Sequence, residues 1–215
     1  MSPKSIAAPR VYRSELRQQQ AEATRARVLE AAAELFAADG YARTTLAKIA
    51  AAAGVSAETV QGHGPKAALM IAAIEHAAFG VSGEDDILNL DVGRALVAAR
   101  DRDEAIELLV GARTRVHQRS ARLAEALIGA AHVDPELDRY HRNLITSVTL
   151  QERRVLEAYH DRGWLRTDVP FDELVEGSAA LGSTETYLRL TAYGWDIDTY
   201  QRWCRRMLAE TVFAR

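Results

Sequence analysis

The chain of 215 residues contains a single cysteine, Cys204. One thiol excludes an intrachain disulfide framework and a cysteine-built zinc site. It fits a reducing compartment, and a cytoplasmic location is expected. No run approaches the ~18 consecutive apolar residues that a membrane helix needs, so no membrane partner is expected. The first twenty residues, MSPKSIAAPRVYRSELRQQQ, lack the apolar centre of a secretory leader and read as a disordered basic arm. Proline is scarce, with five residues, and runs of β-branched residues are missing. Neither a strand pattern nor an internal repeat emerges. With alanine abundant, the chain is expected to be all-α.

Sites for chemistry are missing too. The histidines, His63, His76, His117, His132, His141 and His160, form no H-x-x-x-H or H-E-x-x-H pair, so no metal site is expected. Gly177 to Thr184 has the spacing of a phosphate loop, but Ser183 stands where the lysine is required and no strand precedes it. Cys204 falls on an apolar helix face and reads as inert. No catalytic set and no cofactor are implied, and an enzyme is not expected.

What is present is uneven charge. The net charge is −3, yet residues 1–66 hold nine Lys/Arg and six Asp/Glu, while the remainder holds 18 and 24. A basic front on an acidic body suits a protein that meets a polyanion at one end.

Helical periodicity organises the rest. Val28, Ala31, Ala32, Leu35 and Phe36 form one apolar stripe of a helix over residues 22–39, which Gly40 stops. Thr44 or Thr45 then caps a short helix, Leu46 to Ala53. Gly54 turns the chain, Val55 points inward, and Ser56 caps a second helix at Ala57-Glu58-Thr59-Val60. A short helix, a glycine turn and a capped second helix make a helix-turn-helix. A helix over 66–79 follows, broken at Gly80 and the VSGEDD run. A short helix is expected near 91–100. Asp103 is expected to cap a longer one through Ile128. Asp134-Pro135-Glu136 starts a long helix ending at Gly163. Helices follow at 171–181, 184–193 and after Asp196 or Asp198. The last carries a stripe of Tyr200, Trp203, Cys204, Met207, Leu208 and Thr211.

Over residues 25–69 the chain resembles the TetR family of bacterial regulators. The residues that carry the likeness are Arg27-Val28-Leu29, Ala32, Leu35-Phe36, Gly40, Thr44-Thr45, Ile49-Ala50, Ala53-Gly54-Val55-Ser56, Thr59, His63, Lys66 and Leu69. The resemblance implies an all-α fold of nine or ten helices and a homodimer built from the last helices. It also implies a ligand cavity in the larger domain, and repression relieved by a small molecule. It divides the chain into an arm (1–20), a helix-turn-helix domain (21–68) and a ligand-binding and dimerisation domain (69–215). One stretch departs from the family pattern. The Tyr of the recognition helix is Gln61 here, the Phe is Gly64, and the segment is one residue shorter before Lys66. Gly62 and Gly64 lead us to expect that the second helix frays after Val60.

Candidate DNA contacts follow. Thr45 and Ser56 stand at helix N-termini, where a hydroxyl and free N–H groups meet a phosphate. Arg43 and Lys48 offer charge. Ala57, Glu58 and Gln61 occupy the face expected in the major groove, where Gln pairs with adenine and Glu accepts from cytosine; alternatively Glu58 forms an intramolecular pair. By resemblance, His63 and Lys66 match phosphate-contacting positions. For the effector, Arg113 and His117 lie one turn apart on one helix, and Tyr140, Tyr159 and Trp164 are candidate cavity aromatics. Tyr200, Trp203, Met207 and Leu208 are the candidate dimer interface. Two readings stand: a ligand-responsive regulator, expected to be a repressor on a palindromic operator, or a dimeric small-molecule-binding or interaction protein with a degenerate helix-turn-helix.

Overall fold

The computed structural model describes residues 10–79 and 89–214. Among these, ten α-helices follow in order: α1 (Arg10–Arg43), α2 (Leu46–Ala53), α3 (Ala57–Gln61), α4 (Lys66–Phe79), α5 (Asp91–Val97), α6 (Arg102–Ala131), α7 (Pro135–His160), α8 (Phe171–Leu181), α9 (Thr184–Ala192) and α10 (Ile197–Thr211). The described residues contain no strand beyond an isolated antiparallel bridge between Leu165 and Phe213. The all-α architecture is as the composition implies.

Two apolar cores are strung along α6. Its first half places Ala105, Ile106, Leu109 and Val110 in a core shared with α5, α7, α8, α9 and α10. Its second half places Leu123, Leu127 and Ala130 in the core of the N-terminal helices, beside Phe36, Ile49, Val60 and Met70. At 30 residues, α6 spans ~45 Å, so one rigid element joins the head to the body. Its middle is polar, and Thr114 and Ser120 satisfy their hydroxyls on the carbonyls of Val110 and Val116. Such bonds remove the desolvation cost of a buried hydroxyl.

Several boundaries differ from those expected. Helix α1 starts at Arg10, so the arm expected at 1–20 is helical from residue 10. Beyond Pro9 the stretch is rich in Arg, Glu, Gln, Leu and Ala and has no glycine or proline to stop a helix. Gly40 breaks α1 as expected, at φ 77° and ψ 169°. Asp101, not Asp103, caps α6, its carboxylate accepting from the Glu104 N–H at 2.8 Å. The boundary expected between residues 68 and 69 falls inside α4, whose Leu69, Met70, Ala73 and Ile74 complete the head core. The break expected at Gly80 and VSGEDD lies outside the described residues.

Candidate nucleic-acid interface and body site

The turn between α2 and α3 is built as its residues require. Thr45 caps α2 by accepting from the Lys48 N–H at 3.2 Å. Gly54 ends α2 in the left-handed region, φ 66°, and the Val55 N–H donates to the Ala50 carbonyl at 3.0 Å. Ser56 caps α3 on the Thr59 N–H at 3.1 Å. Thr44 is fully buried, and its hydroxyl reaches the carbonyls of Gly40 and Leu35. It is therefore a tie between α1 and α2, and Thr45 is the cap. Beneath α3, Val60 is 0 % exposed, which fixes the helix on the core. Ala57, Glu58 and Gln61 are exposed on its outer side. No ion pair to Glu58 exists among the described residues, so its expected intramolecular partner is not found.

The helix ends at Gln61, and Gly64 sits at φ 116°, a conformation that a side chain resists. A Cβ at Gly64 would also lie 3.3 Å from the Ala68 Cβ. The chain thus turns tightly into α4 where the resemblance would place an aromatic anchor.

Lys66 is placed differently from its expected role. Its ammonium donates to the carbonyls of Tyr41 at 3.0 Å and Thr44 at 3.2 Å, and lies 4.1 Å from the centre of the Tyr41 ring. It bridges two carbonyls of the turn between α1 and α2 instead of facing outward; the Tyr41 carbonyl also accepts from the Thr44 N–H at 3.3 Å. Lys48 is exposed but paired with Asp39 at 2.9 Å; that pairing holds the Asp39 carboxyl below its usual range. Arg43, Thr45 and Ser56 are exposed, and His63 is half-buried at the end of α3. The sequence reading missed Tyr41. Its hydroxyl donates to Asp134 at 2.9 Å, and burial followed by that carboxylate pushes its pKa up to about 12.

In the body, Arg113 and His117 both lie on the inner side of α6. The Arg113 guanidinium pairs with Glu152 of α7 and donates to the Ser178 hydroxyl of α8 at 2.9 Å. Ser178 in turn donates to Glu152 at 2.7 Å. His117 is 6 % exposed, and its Nε2 meets the Gly182 carbonyl at 2.9 Å. A carbonyl only accepts, so Nε2 carries the proton and Nδ1 is a bare acceptor. Among the described residues Nδ1 has no hydrogen-bond partner. Burial pushes the His117 pKa down, opposed by the Gly182 bond. Its ring stacks on Tyr187 at 5.0 Å, and Tyr187 meets Tyr200 edge-on at 5.1 Å. Glu152, Ser178 and Tyr187 were not legible beforehand, since nothing local in the sequence pairs them with α6.

The three expected cavity aromatics do not join this cluster as a set. Tyr159 is fully buried, spends its hydroxyl on the Leu96 carbonyl at 2.8 Å and packs on Trp164 and Phe213. Tyr140 packs against the head core. Trp164 lines a shallow surface concavity with Asp101, Arg102, Asp103, Gly163 and Ala214. The expected dimer residues also divide. Tyr200 and Leu208 are 1 % and 0 % exposed within their own chain, so they have no surface left for a partner, whereas Trp203 and Met207 stay half-exposed. The reason is geometric: one helical stripe serves the inner core first, and only its flank faces out.

Three comparisons bear on this arrangement. Residues 28–72 match the sequence profile described as bacterial regulatory proteins, tetR family. No curated protein sequence matches the chain. Solved structures share the fold. A transcriptional regulator from Saccharomonospora viridis in complex with choline superposes with a TM-score of 0.71 at 18 % identity, over 90 % of this chain and 100 % of that one. The SmeT–triclosan complex, SmeT being the repressor of the Stenotrophomonas maltophilia efflux pump SmeDEF, gives 0.70 at 19 %, over 89 % and 92 %. NalD, the secondary repressor of the MexAB-OprM efflux pump in Pseudomonas aeruginosa, gives 0.67 at 19 %, over 90 % and 98 %. The helix-turn-helix lies within the segment that matches the tetR-family profile, and over the remainder the chain shares the fold of these solved structures.

Proposed function

We propose that the chain is a homodimeric transcriptional repressor that leaves a near-palindromic operator when a small molecule binds its body. The observation that carries the reading is α3. It is capped, fixed from below by Val60, and presents Ala57, Glu58 and Gln61 outward. Those side chains are the base-reading set, and Arg43, Thr45, Lys48, Ser56 and His63 flank them at the phosphates. Two copies related by a two-fold axis impose their symmetry on the operator. The partner face is the outer flank of α9 and α10, where Trp203 and Met207 are half-exposed and Tyr193 is 80 % exposed.

The effector site is the polar cluster of Arg113, His117, Glu152 and Ser178. An ion pair and an unpaired imidazole nitrogen inside an apolar body cost stability, and such costs concentrate at functional sites. Choline and triclosan sit in two proteins of this fold, which is consistent with an organic effector here. The concavities at α1–α3 and at Trp164 lie away from the cluster, so its side chains part to admit a ligand.

Selection of host genomic fragments by the purified protein tests the reading. Enrichment of a near-palindrome, with Gln61→Ala altering the preferred bases, supports it. No enrichment at low salt favours the alternative of a dimeric ligand-binding protein with a degenerate helix-turn-helix.

A further inference from the structure

The inner stripe of α7 is defined by its contacts. Leu137, Glu152, Val155, Leu156 and Tyr159 fall on one side of the helix. The four without charge are buried in the two cores, and Glu152 reaches Arg113 on α6. Ile145 stands two turns after Leu137, and Val148 one turn before Glu152, so both belong to the same stripe. The pattern calls for burial, yet they are 51 % and 49 % exposed. Neither is part of either core. The inner side of α7 is therefore covered at its two ends and open in the middle.

That opening is level with His117. Helices α6 and α7 run antiparallel through the short connection after Ala131, and Arg113 and Glu152 face each other across them. One turn from that pair toward the connection brings α6 to His117 and α7 to Val148. There His117, buried and stacked on Tyr187, keeps Nδ1 as an acceptor with no partner among the described residues. Leaving a buried acceptor unpaired is unfavourable, and a hydrogen-bond donor removes that cost. Burial also holds the ring neutral by pushing its pKa down, so Nδ1 accepts and does not donate. Arg113 is already matched by Glu152, and a net charge brought beside them would be buried without a counter-charge.

We propose that the effector is an uncharged, largely apolar molecule bearing an O–H or N–H donor, its apolar part lying on Ile145 and Val148 and its donor satisfying Nδ1 of His117. His117 is then the residue that selects the ligand, and the open stretch of α7 is the way in. The proposal rests on the assignment of the effector to the cluster of Arg113, His117, Glu152 and Ser178, and gives that effector a chemical class.

The test uses the full chain and matched probes: para-propylphenol, its methyl ether and para-propylbenzoate. In calorimetric titrations the phenol is expected to bind roughly tenfold or more tightly than the ether, with the benzoate weakest. In nitrogen NMR of histidine-labelled protein, the His117 Nδ1 signal is expected to move with the phenol and to stay with the ether. His117→Phe keeps a ring against Tyr187 and deletes the acceptor, so it is expected to bind phenol and ether alike. It also strips the Gly182 carbonyl of its donor, and Val148→Glu therefore supplies a second variant. That change sits at a half-exposed position, is expected to leave thermal melting unchanged, and weakens both uncharged probes about tenfold or more. Val133→Glu, at an exposed position between α6 and α7, leaves binding as in the wild type. Equal binding of phenol and ether to the wild type, still lost in Val148→Glu, overturns the donor requirement and leaves the effector site in place. Tightest binding by the benzoate overturns the uncharged class and likewise leaves the site. Absence of binding by every probe overturns the proposal and the effector assignment together. A change in the sedimenting mass of Val148→Glu assigns the open stripe to a second copy and overturns the proposal.

Discussion

The hydroxyl of Tyr41, at the end of the head, donates to the carboxylate of Asp134, 93 residues later at the start of α7. Asp134 also caps α7, its other oxygen accepting from the N–H groups of Glu136 at 3.0 Å and Leu137 at 3.4 Å. One carboxylate thus clips the DNA-binding head to the body. Removing the Tyr41 hydroxyl as Tyr41→Phe keeps the ring under Lys66 and deletes only the clip. The expected loss is ~1 kcal/mol. Asp134→Ala removes clip and cap together and is expected to cost ~2 kcal/mol. The clip also depends on pH. Tyr41 first, then the cap N–H groups and Lys66, hold the Asp134 carboxyl below its usual value. Its stabilisation is complete above the unfolded pKa of ~3.9 and is lost as pH falls through the lower folded value. Urea unfolding at pH 7 and below pH 4 checks both points. A Tyr41→Phe loss that persists undiminished in acid contradicts the assignment.

His117 carries the opposite pressure in the body. Burial lowers its pKa, the Gly182 carbonyl raises it, Arg113 lowers it and Glu185 raises it, with burial the largest. The unfolded chain therefore binds the proton first. The folded body is unpenalised above ~6.5 and loses stability as pH falls from there toward the folded pKa. His117→Gln is expected to flatten that part of the melting-temperature profile between pH 7 and pH 5, its amide keeping a donor for Gly182. Parallel profiles for both proteins rule out His117 as the titrating group.

Much of this fold is visible in local patterns. Gly40, Gly54, Ser56, Pro135 and Asp196 each mark an element boundary through their own backbone or capping chemistry, which needs no knowledge of distant residues. The site pairings are a different matter. Lys66 reads as a phosphate ligand because its partners, the carbonyls of Tyr41 and Thr44, are backbone groups that sequence does not advertise. Arg113 reads from sequence only as an effector candidate one turn from His117, until α7 and α8 bring Glu152 and Ser178 against it. The α10 stripe shows that one face is apolar but not which of Tyr200, Trp203, Met207 and Leu208 its own core absorbs.

The helix break at Gly182 is a packing necessity as well as a turn. A Cβ there would stand 2.8 Å from Cδ, Nε and Cζ of Arg113. That guanidinium is held by Glu152 and Ser178 and has little room to retreat. Gly182→Ala is therefore expected to push Arg113 off its partners and cost ~1–3 kcal/mol, the penalty of leaving buried charged groups poorly paired. Combining it with Arg113→Met relieves the clash and separates it from the lost ion pair. Additive losses in denaturant titrations would show that the glycine and the arginine do not collide.

Lys66 decides between two roles that the same charge can fill. As a phosphate ligand it would change DNA binding and leave the fold untouched. As the closure of the turn after α1 it holds two carbonyls and the Tyr41 ring, and its removal takes the ammonium donor from both, leaving the Tyr41 carbonyl with only the Thr44 N–H. A hydrogen bond from a charged group contributes ~1.5–3 kcal/mol and an ammonium over a ring a further ~0.5–1 kcal/mol. Partial exposure lowers both, so Lys66→Met is expected to destabilise the head by about 1–2 kcal/mol. Tyr41 would lose one of its supports, and the clip to Asp134 would loosen with it. In DNA titrations the salt slope is then expected to shift by less than one unit per subunit, with affinity falling for specific and nonspecific duplexes in step with the fraction unfolded. Lys48→Met supplies the contrast. It breaks only an exposed pair with Asp39, so its effect on melting is expected to be small. Unchanged melting for Lys66→Met, together with a salt slope reduced by a full unit per subunit, would return Lys66 to the phosphate and leave the end of α1 to be closed by water.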